Sequence, residues 1–303
     1  MTNKLTKEWF VEMPWGKVAM ISWGQSSNPP MLLVHGYTDT AATFIRLVDL
    51  LPDSYYYVSF DFPGHGKSEH IPSGGPLVTM SFMTEVVRRI VNYMEWDTFI
   101  YMGHSMAFLT GIYYHHAFPG RIKRMINLDP EPPCGNQYYI DYSYIESWFM
   151  YHHESYYDNY HKQEEKLYTY EQAVTAMMKA RHLTREQTEL LLTRCLVPAE
   201  NGLYRMTFQP SMRRITGSGF PEYTLTCAIT TDPPPVLNLN ATKSILNPVT
   251  IEFSRKILRP YALPSTVHRT VYVEGRHDVH ITHPESLVPY ILEFLNRDNK
   301  SKL

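Results

Sequence analysis

Apolar positions along the chain fall into two alternating kinds of run. Residues 31–34 (Met31-Leu32-Leu33-Val34), 55–60, 98–102 and 121–128 are short, apolar and bounded by turn signals, as buried parallel strands are. Between them, residues 41–51 and 81–96 read as helices. In the second, Phe82, Val86, Ile90, Tyr93 and Met94 recur at helical period. Ahead of these runs, residues 9–13 and 17–23 flank Pro14-Trp15-Gly16, the pattern of a hairpin. The alternation stops after residue 130. Residues 136–170 carry ten of the 23 tyrosines, with Trp148, Phe149 and several histidines, and residues 170–196 read as helical. The alternation returns after Pro233-Pro234-Pro235, with strands at 236–240 and 269–274 and a closing helix at 284–296 that starts on proline. This pattern predicts an α/β fold, a mostly parallel sheet flanked by helices with an inserted helical lid. The expected divisions are core over 1–130, lid over 131–232 and core again over 233–303.

One stretch stands out. The apolar run Phe99-Ile100-Tyr101-Met102 leads into Gly103-His104-Ser105-Met106-Ala107, and Phe108-Leu109-Thr110-Gly111-Ile112-Tyr113 follows at helical spacing. A strand–turn–helix with a serine at the turn, and small residues two before and two after it, reads as a nucleophile elbow. The usual pattern is G-x-S-x-G; Ala107 departs from it by one methyl group. Such a short string also occurs by chance, so its neighbours matter. A serine hydroxyl needs a base to take its proton. Val273-Glu274-Gly275-Arg276-His277-Asp278-Val279-His280 offers one late in the chain, where Gly275 turns the backbone and His277 stands two residues on. His280 and His283 compete with it, and the bland alternative is a surface loop that happens to hold three histidines. Backbone N–H groups must also await the charge that develops on a substrate oxygen. Met106 supplies one, and Tyr37, in the loop His35-Gly36-Tyr37 after an early strand, is the natural second, with Asp39 bracing the loop.

Composition narrows the field. The chain has 303 residues, 44% hydrophobic and 19% charged, which supports a large folded core. A net charge of -2 recommends no nucleic-acid partner. No apolar run reaches membrane-spanning length, and the polar residues 1–7 do not read as a signal peptide. Cys134, Cys195 and Cys227 are scattered, without metal or disulfide spacing, which suits a reducing compartment. No cofactor is expected. The chain ends in Ser301-Lys302-Leu303, which reads as a peroxisomal address. The expectation is therefore a protein that meets the peroxisomal import receptor and enters peroxisomes at least in part, the rest cytoplasmic.

Taken together, His35-Gly36-Tyr37-Thr38-Asp39-Thr40-Ala41, Asp61-Phe62-Pro63-Gly64-His65-Gly66-Lys67-Ser68, the Gly103–Ala107 elbow and the Gly275/His277/His280/Pro284 spacing resemble the α/β-hydrolase superfamily. Within it the sequence is similar to the kraken-type, serine-hydrolase-like proteins. The resemblance implies the order serine, acid, histidine along the chain. It favours His277, which stands seven residues before Pro284. It also implies an acid after the strand at 236–240, where this chain has Ala241-Thr242-Lys243-Ser244 and no carboxylate. Some members take the acid from the end of the strand after the nucleophile, which here is Asp129. Glu131, Asp232 and Glu252 are poorer candidates by position. Residues 61–68 would be structural support beside the site.

The expected function is cofactor-free cleavage of an ester, thioester or related acyl bond in a small acyl or aromatic substrate. Ser105 is the nucleophile, His277 the base, Asp129 the acid, and the Tyr37 and Met106 N–H groups the oxyanion hole. Two other readings stay open: a non-catalytic ligand-binding protein on the same fold, suggested by the missing standard acid, and a carbon–carbon hydrolase or lyase using the same residues. The lid aromatics could line an apolar pocket, though tyrosines that simply pack the lid would read the same way.

Overall fold

The computed structural model describes residues 4–72, 78–135, 146, 149–150, 166–209, 212, 222–244, 248–258 and 267–296. Among these an eight-stranded sheet runs in the order β1-β2-β4-β3-β5-β6-β10-β11. The strands are β1 (Thr6–Met13), β2 (Gly16–Trp23), β3 (Pro30–Val34), β4 (Tyr56–Phe60), β5 (Phe99–His104), β6 (Ile122–Leu128), β10 (Val236–Ala241) and β11 (His268–Val273). β1 and β2 form the expected antiparallel hairpin and β2 pairs antiparallel with β4; every later pairing is parallel.

The inner parallel strands are buried on both faces, and their apolar residues sort by parity. Leu32, Val34, Phe99 and Tyr101 join the core on one face. Met31, Leu33, Ile100 and Met102 join the core on the other. Helix α2 (Met80–Tyr93) and α3 (Ala107–Ala117) cover the first face. Helix α1 (Ile45–Leu50), preceded by the 3-10 turn Ala41–Phe44, covers the second together with the C-terminal helix. Helix α2 starts where the Thr79 hydroxyl accepts from the Phe82 N–H, an N-cap. On β6 and β10 the parity of the first face turns polar after Met125 and Val236: Asn127 donates to Asn238 at 2.8 Å, and both are fully buried.

The insertion between β6 and β10 opens with α4 (Glu131–Gly135). It continues with α5 (Tyr170–Arg181) and α6 (Arg185–Cys195), each started by a capping box, on Thr169/Gln172 and Thr184/Gln187. His182, in left-handed backbone conformation, separates the two helices within what the sequence presents as one helical run. The insertion is not wholly helical, because β7 (Leu167–Tyr168), β8 (Leu196–Pro198) and β9 (Tyr204–Met206) form a small antiparallel sheet. These strands have two or three residues, too few to show alternation in the sequence. Helix α7 (Glu222–Thr230) leads back to β10. Most of the tyrosine-rich stretch lies outside the described residues.

A helix the sequence reading passed over, α8 (Pro248–Leu258), connects β10 to β11. Its buried positions Thr250, Phe253, Ser254, Ile257 and Leu258 fall at helical spacing. The closing helix predicted over 284–296 is a 3-10 turn at Pro284–Ser286 followed by α10 (Val288–Leu295), and a short helix outside that prediction, α9 (Val279–Thr282), precedes it. Among the described residues no helix is long and apolar enough to cross a membrane. Ser301-Lys302-Leu303 lie outside the described residues.

Candidate active site

Sterics build the elbow between β5 and α3. Ser105 sits at φ 52°, in the left-handed region that costs a non-glycine residue free energy. The surroundings hold it there. The Ser105 N–H donates to the Leu128 carbonyl of the neighbouring strand at 2.9 Å. A Cβ on Gly103 would lie 3.0 Å from the Cβ of Ala107 and 2.8 Å from the Tyr101 ring, so the turn has room for glycine only. Ala107 fits at the other small position. The Tyr101 hydroxyl donates to the Ala107 carbonyl at 2.6 Å, tying the first turn of α3 to the strand beneath it.

The structure brings Ser105, His277 and Asp129 into one hydrogen-bonded chain. His277 Nε2 stands 2.9 Å from Ser105 Oγ, and Nδ1 stands 2.6 Å from Asp129 Oδ2. An ionised carboxylate only accepts, so Nδ1 carries the proton and Nε2 presents its lone pair to the serine hydroxyl. Asp129 is fully buried and also sits at positive φ, 48°. Its N–H donates to Leu239 O at 2.8 Å, and its Oδ1 accepts from the Ala241 N–H at 2.8 Å. The Ser244 hydroxyl bonds to Oδ2. The end of β10 and the segment after it, which lack a carboxylate of their own, thus supply donors to one arriving from β6. Burial works to lower the His277 pKa, but the hydrogen bond and charge of Asp129 outweigh it and hold the imidazole above its ordinary value.

The other acids take different positions. Glu131 is buried and accepts from Asn240 at 3.3 Å and from the Tyr272 hydroxyl, which leaves it in a separate cluster. Burial raises its pKa. Glu252 and Asp232 are exposed. Of the competing histidines, His280 is buried with Nε2 2.6 Å from Thr43 Oγ1, and His283 joins the 3-10 turn that leads to α10.

The loop after β3 crosses the elbow at close range. A Cβ on Gly36 would meet Ser105 Cβ at 3.0 Å and His104 Nδ1 at 2.9 Å, so glycine is required for the approach. Tyr37 follows Gly36 in this loop, and Met106 follows Ser105 in the elbow. Phe208 of the insertion lies edge-on to Tyr37 and His65, with ring centroids 6.2 and 4.9 Å away. The strap carrying Phe208 is stitched to residues 64–71: the Gln209 N–H donates to Gly64 O at 2.8 Å, and the Gln209 side chain pairs with the Ile71 backbone at 2.9 and 3.1 Å.

Sequence reasoning missed a buried ionic network beside the serine. Arg181, the last residue of α5, donates to Asp39 Oδ1 and Oδ2 at 3.1 and 3.0 Å. It also donates to Asp278 Oδ2 and Oδ1 at 2.9 and 2.6 Å. Burial would raise both carboxyl pKa values; Arg181 overcomes it, holding Asp39 well below the usual carboxylate range and Asp278 at about 2. Burial pushes His104 well down and His280 to about 4. Asp39, His104 and His280 bring one ligand atom each within 4.8 Å of the others. Their arrangement does not suit a metal ion. The two rings stack, with centroids 3.9 Å apart and planes at 37°; each Nε2 already has a partner, the His277 carbonyl for His104 and Thr43 for His280, and Arg181 holds both Asp39 oxygens. A separate cleft between α3, α7 and β10 is lined by Phe108, His115, Asn127 and His268 and holds none of the site residues.

Residues 29–284 match the model of the alpha/beta hydrolase fold family. The chain belongs to that family. A human serine hydrolase-like protein is 39% identical over 125 residues, covering 41% of this chain and 61% of its own length. A zebrafish (Danio rerio) serine hydrolase-like protein is 26% identical over 300 residues, covering 97% and 89%. The fold is shared with a hypothetical protein of Pseudomonas aeruginosa, with TM-score 0.79, 22% identity and coverage of 94% of this chain and 99% of that one. A thioesterase domain from the curacin biosynthetic pathway shares it too, at TM-score 0.74, 20% identity and coverage of 95% and 99%. The matched stretch spans less than two thirds of the human relative's length.

Proposed function

We propose that the chain is a cofactor-free serine hydrolase that cleaves an ester, thioester or related acyl bond through an acyl-enzyme. The observation that carries the reading is the continuous path from Ser105 Oγ through His277 to Asp129, at 2.9 and 2.6 Å. His277 Nε2 takes the Ser105 proton as Oγ attacks the acyl carbon, and Asp129 stabilises the resulting imidazolium. The Tyr37 and Met106 N–H groups meet the oxyanion. His277 then protonates the leaving alcohol or thiol. Water, deprotonated by the same imidazole, releases the acid and restores Ser105. The ordered acid partner favours this reading over a non-catalytic binding protein: an inert site has no need of a buried carboxylate that accepts three hydrogen bonds.

Burst kinetics test it. Short-chain p-nitrophenyl esters should give an initial release of about one nitrophenol per chain, absent in Ser105→Ala; slow linear release identical in both proteins would end the proposal. Localisation is a proposal from the sequence alone. Ser301-Lys302-Leu303 would be gripped by the peroxisomal import receptor, and an N-terminally tagged chain should become diffuse when Leu303 is deleted. Equal diffuse patterns with and without Leu303 would make the tripeptide a coincidence.

A further inference from the structure

We propose that Arg181 is a positioning residue for this hydrolysis: from the insertion it ties the Gly36–Tyr37 loop to the His277 loop and sets the charge beside the imidazole. The proposal rests on the serine-hydrolase reading, and it begins from a count of donors. Four hydrogen bonds use Nε, Nη1 and Nη2 of Arg181, two to Asp39 and two to Asp278. With the fork engaged on both sides, the guanidinium has little left for a substrate carboxylate, so its partners lie within the protein.

Those partners stand where the chemistry needs alignment. Asp39 lies two residues after Tyr37, on the loop that Gly36 brings against Ser105. Asp278 directly follows His277, whose carbonyl accepts from His104 Nε2 at 3.1 Å. Gly36 and His277 reach Ser105 from two different loops, and Arg181 is the bridge between them. Its side chain is only 20% exposed, and those of Asp39 and Asp278 are 4% and 11% exposed. A pair this sheltered escapes most of the screening that makes surface ion pairs weak.

The groups facing His277 are Asp129 from the end of β6, Ser105 and His104 from the elbow, Asp278 from its own loop, His280 from α9, and Arg181 from α5. Asp39 faces the same cluster through Arg181 and His104. Two of these charges act in opposite directions. Asp278 favours the imidazolium and Arg181 disfavours it. Removing each should therefore shift the His277 titration with opposite signs, which loss of packing cannot do.

The experiment follows His277 by ring-nitrogen NMR titration in the wild type, Arg181→Gln, Asp278→Asn and Arg181→Lys, alongside the pH profile of kcat/KM. In Arg181→Gln the His277 midpoint should rise by about one pH unit, and in Asp278→Asn it should fall by a comparable amount. In both, kcat should drop about 10- to 100-fold with KM changed much less. Arg181→Lys keeps the charge and loses the two-sided fork, so its midpoint should stay while kcat falls. If Arg181→Gln does not fold, Asp278→Asn and Arg181→Lys still carry the test. Midpoints unmoved, or moved with the same sign in Arg181→Gln and Asp278→Asn, would overturn the proposal. The NMR reading needs no substrate, so opposite shifts in a chain that turns over no ester would uphold the charge assignment and refute the hydrolase reading instead.

Discussion

Replacing Asp129 with asparagine separates charge from shape at the centre of the site. The wild-type carboxylate is fully buried and meets three donors: the Ala241 N–H on Oδ1, and the Ser244 hydroxyl and His277 Nδ1 on Oδ2. Asparagine has one carbonyl oxygen to offer. If that oxygen keeps the Ala241 N–H, the amide NH2 faces His277 and Ser244. The Ser244 hydroxyl can rotate to accept, but His277 must then present a lone pair at Nδ1 and carry its proton on Nε2. The imidazole in that tautomer cannot take the Ser105 proton. The expected loss is about 10^4-fold in kcat, equivalent to about 5 kcal/mol of transition-state stabilisation, with the melting temperature nearly unchanged. The opposite amide orientation restores the tautomer but sets NH2 against the Ala241 N–H. It should cost about 1–3 kcal/mol of stability for two buried donors face to face. Turnover of a p-nitrophenyl ester and thermal melting, measured on the same preparation, distinguish the two. Glu131→Gln is the control, expected to stay within about tenfold of wild-type turnover because Glu131 belongs to the Asn240–Tyr272 cluster. Asp129→Asn retaining wild-type kcat with an unchanged melting temperature would refute the reasoning.

Three further outcomes follow from the same geometry. Gly36→Ala places a methyl group 2.9–3.1 Å from His104 and Ser105, so kcat should fall about 10²-fold as the loop lifts from the elbow, while circular dichroism stays native. Arg194, 2% exposed, pairs with the fully buried Asp61 at 2.8 Å. Arg194→Met leaves that carboxylate without its counter-charge and should lower unfolding free energy by about 3–5 kcal/mol in urea titration. The profile of kcat/KM against pH should fall on the acid side with a midpoint above the ordinary histidine value of about 6.5, because His277 must be neutral to act as base and its pKa is raised. The same shift makes the His277–Asp129 pairing stabilise the fold fully below the unfolded-state pKa, and that contribution is lost as pH rises through the folded-state value.

The strands and the elbow were legible because local chemistry dictates them. Gly103 and Ala107 flank Ser105 for a steric reason that any sequence with this turn must obey, and the strands at 31–34 and 99–104 announce their burial by composition. Asp129 could be named only through the family resemblance, as the acid at the end of the strand after the nucleophile; its contacts depend on β6 and β10 being neighbours, a fact of sheet topology. Helix α8 carries a weak signal because the polar residues Thr250 and Ser254 interrupt its buried face. The Arg181 network had no local signal. Its three members come from residues 39, 181 and 278, and only the folded insertion brings them together. The cap sheet β7-β9-β8 was equally silent, since two- and three-residue strands carry no period.

The central claim is that Ser105 is an activated nucleophile. A fluorophosphonate probe reacts with a serine whose proton is taken by a neighbouring base, and mass spectrometry of the intact chain and its peptides locates the adduct. The account predicts one adduct per chain, on the peptide containing Ser105, lost in Ser105→Ala, in His277→Ala and after denaturation. A folded wild-type chain that takes up no probe, or takes it up on another residue, would contradict it.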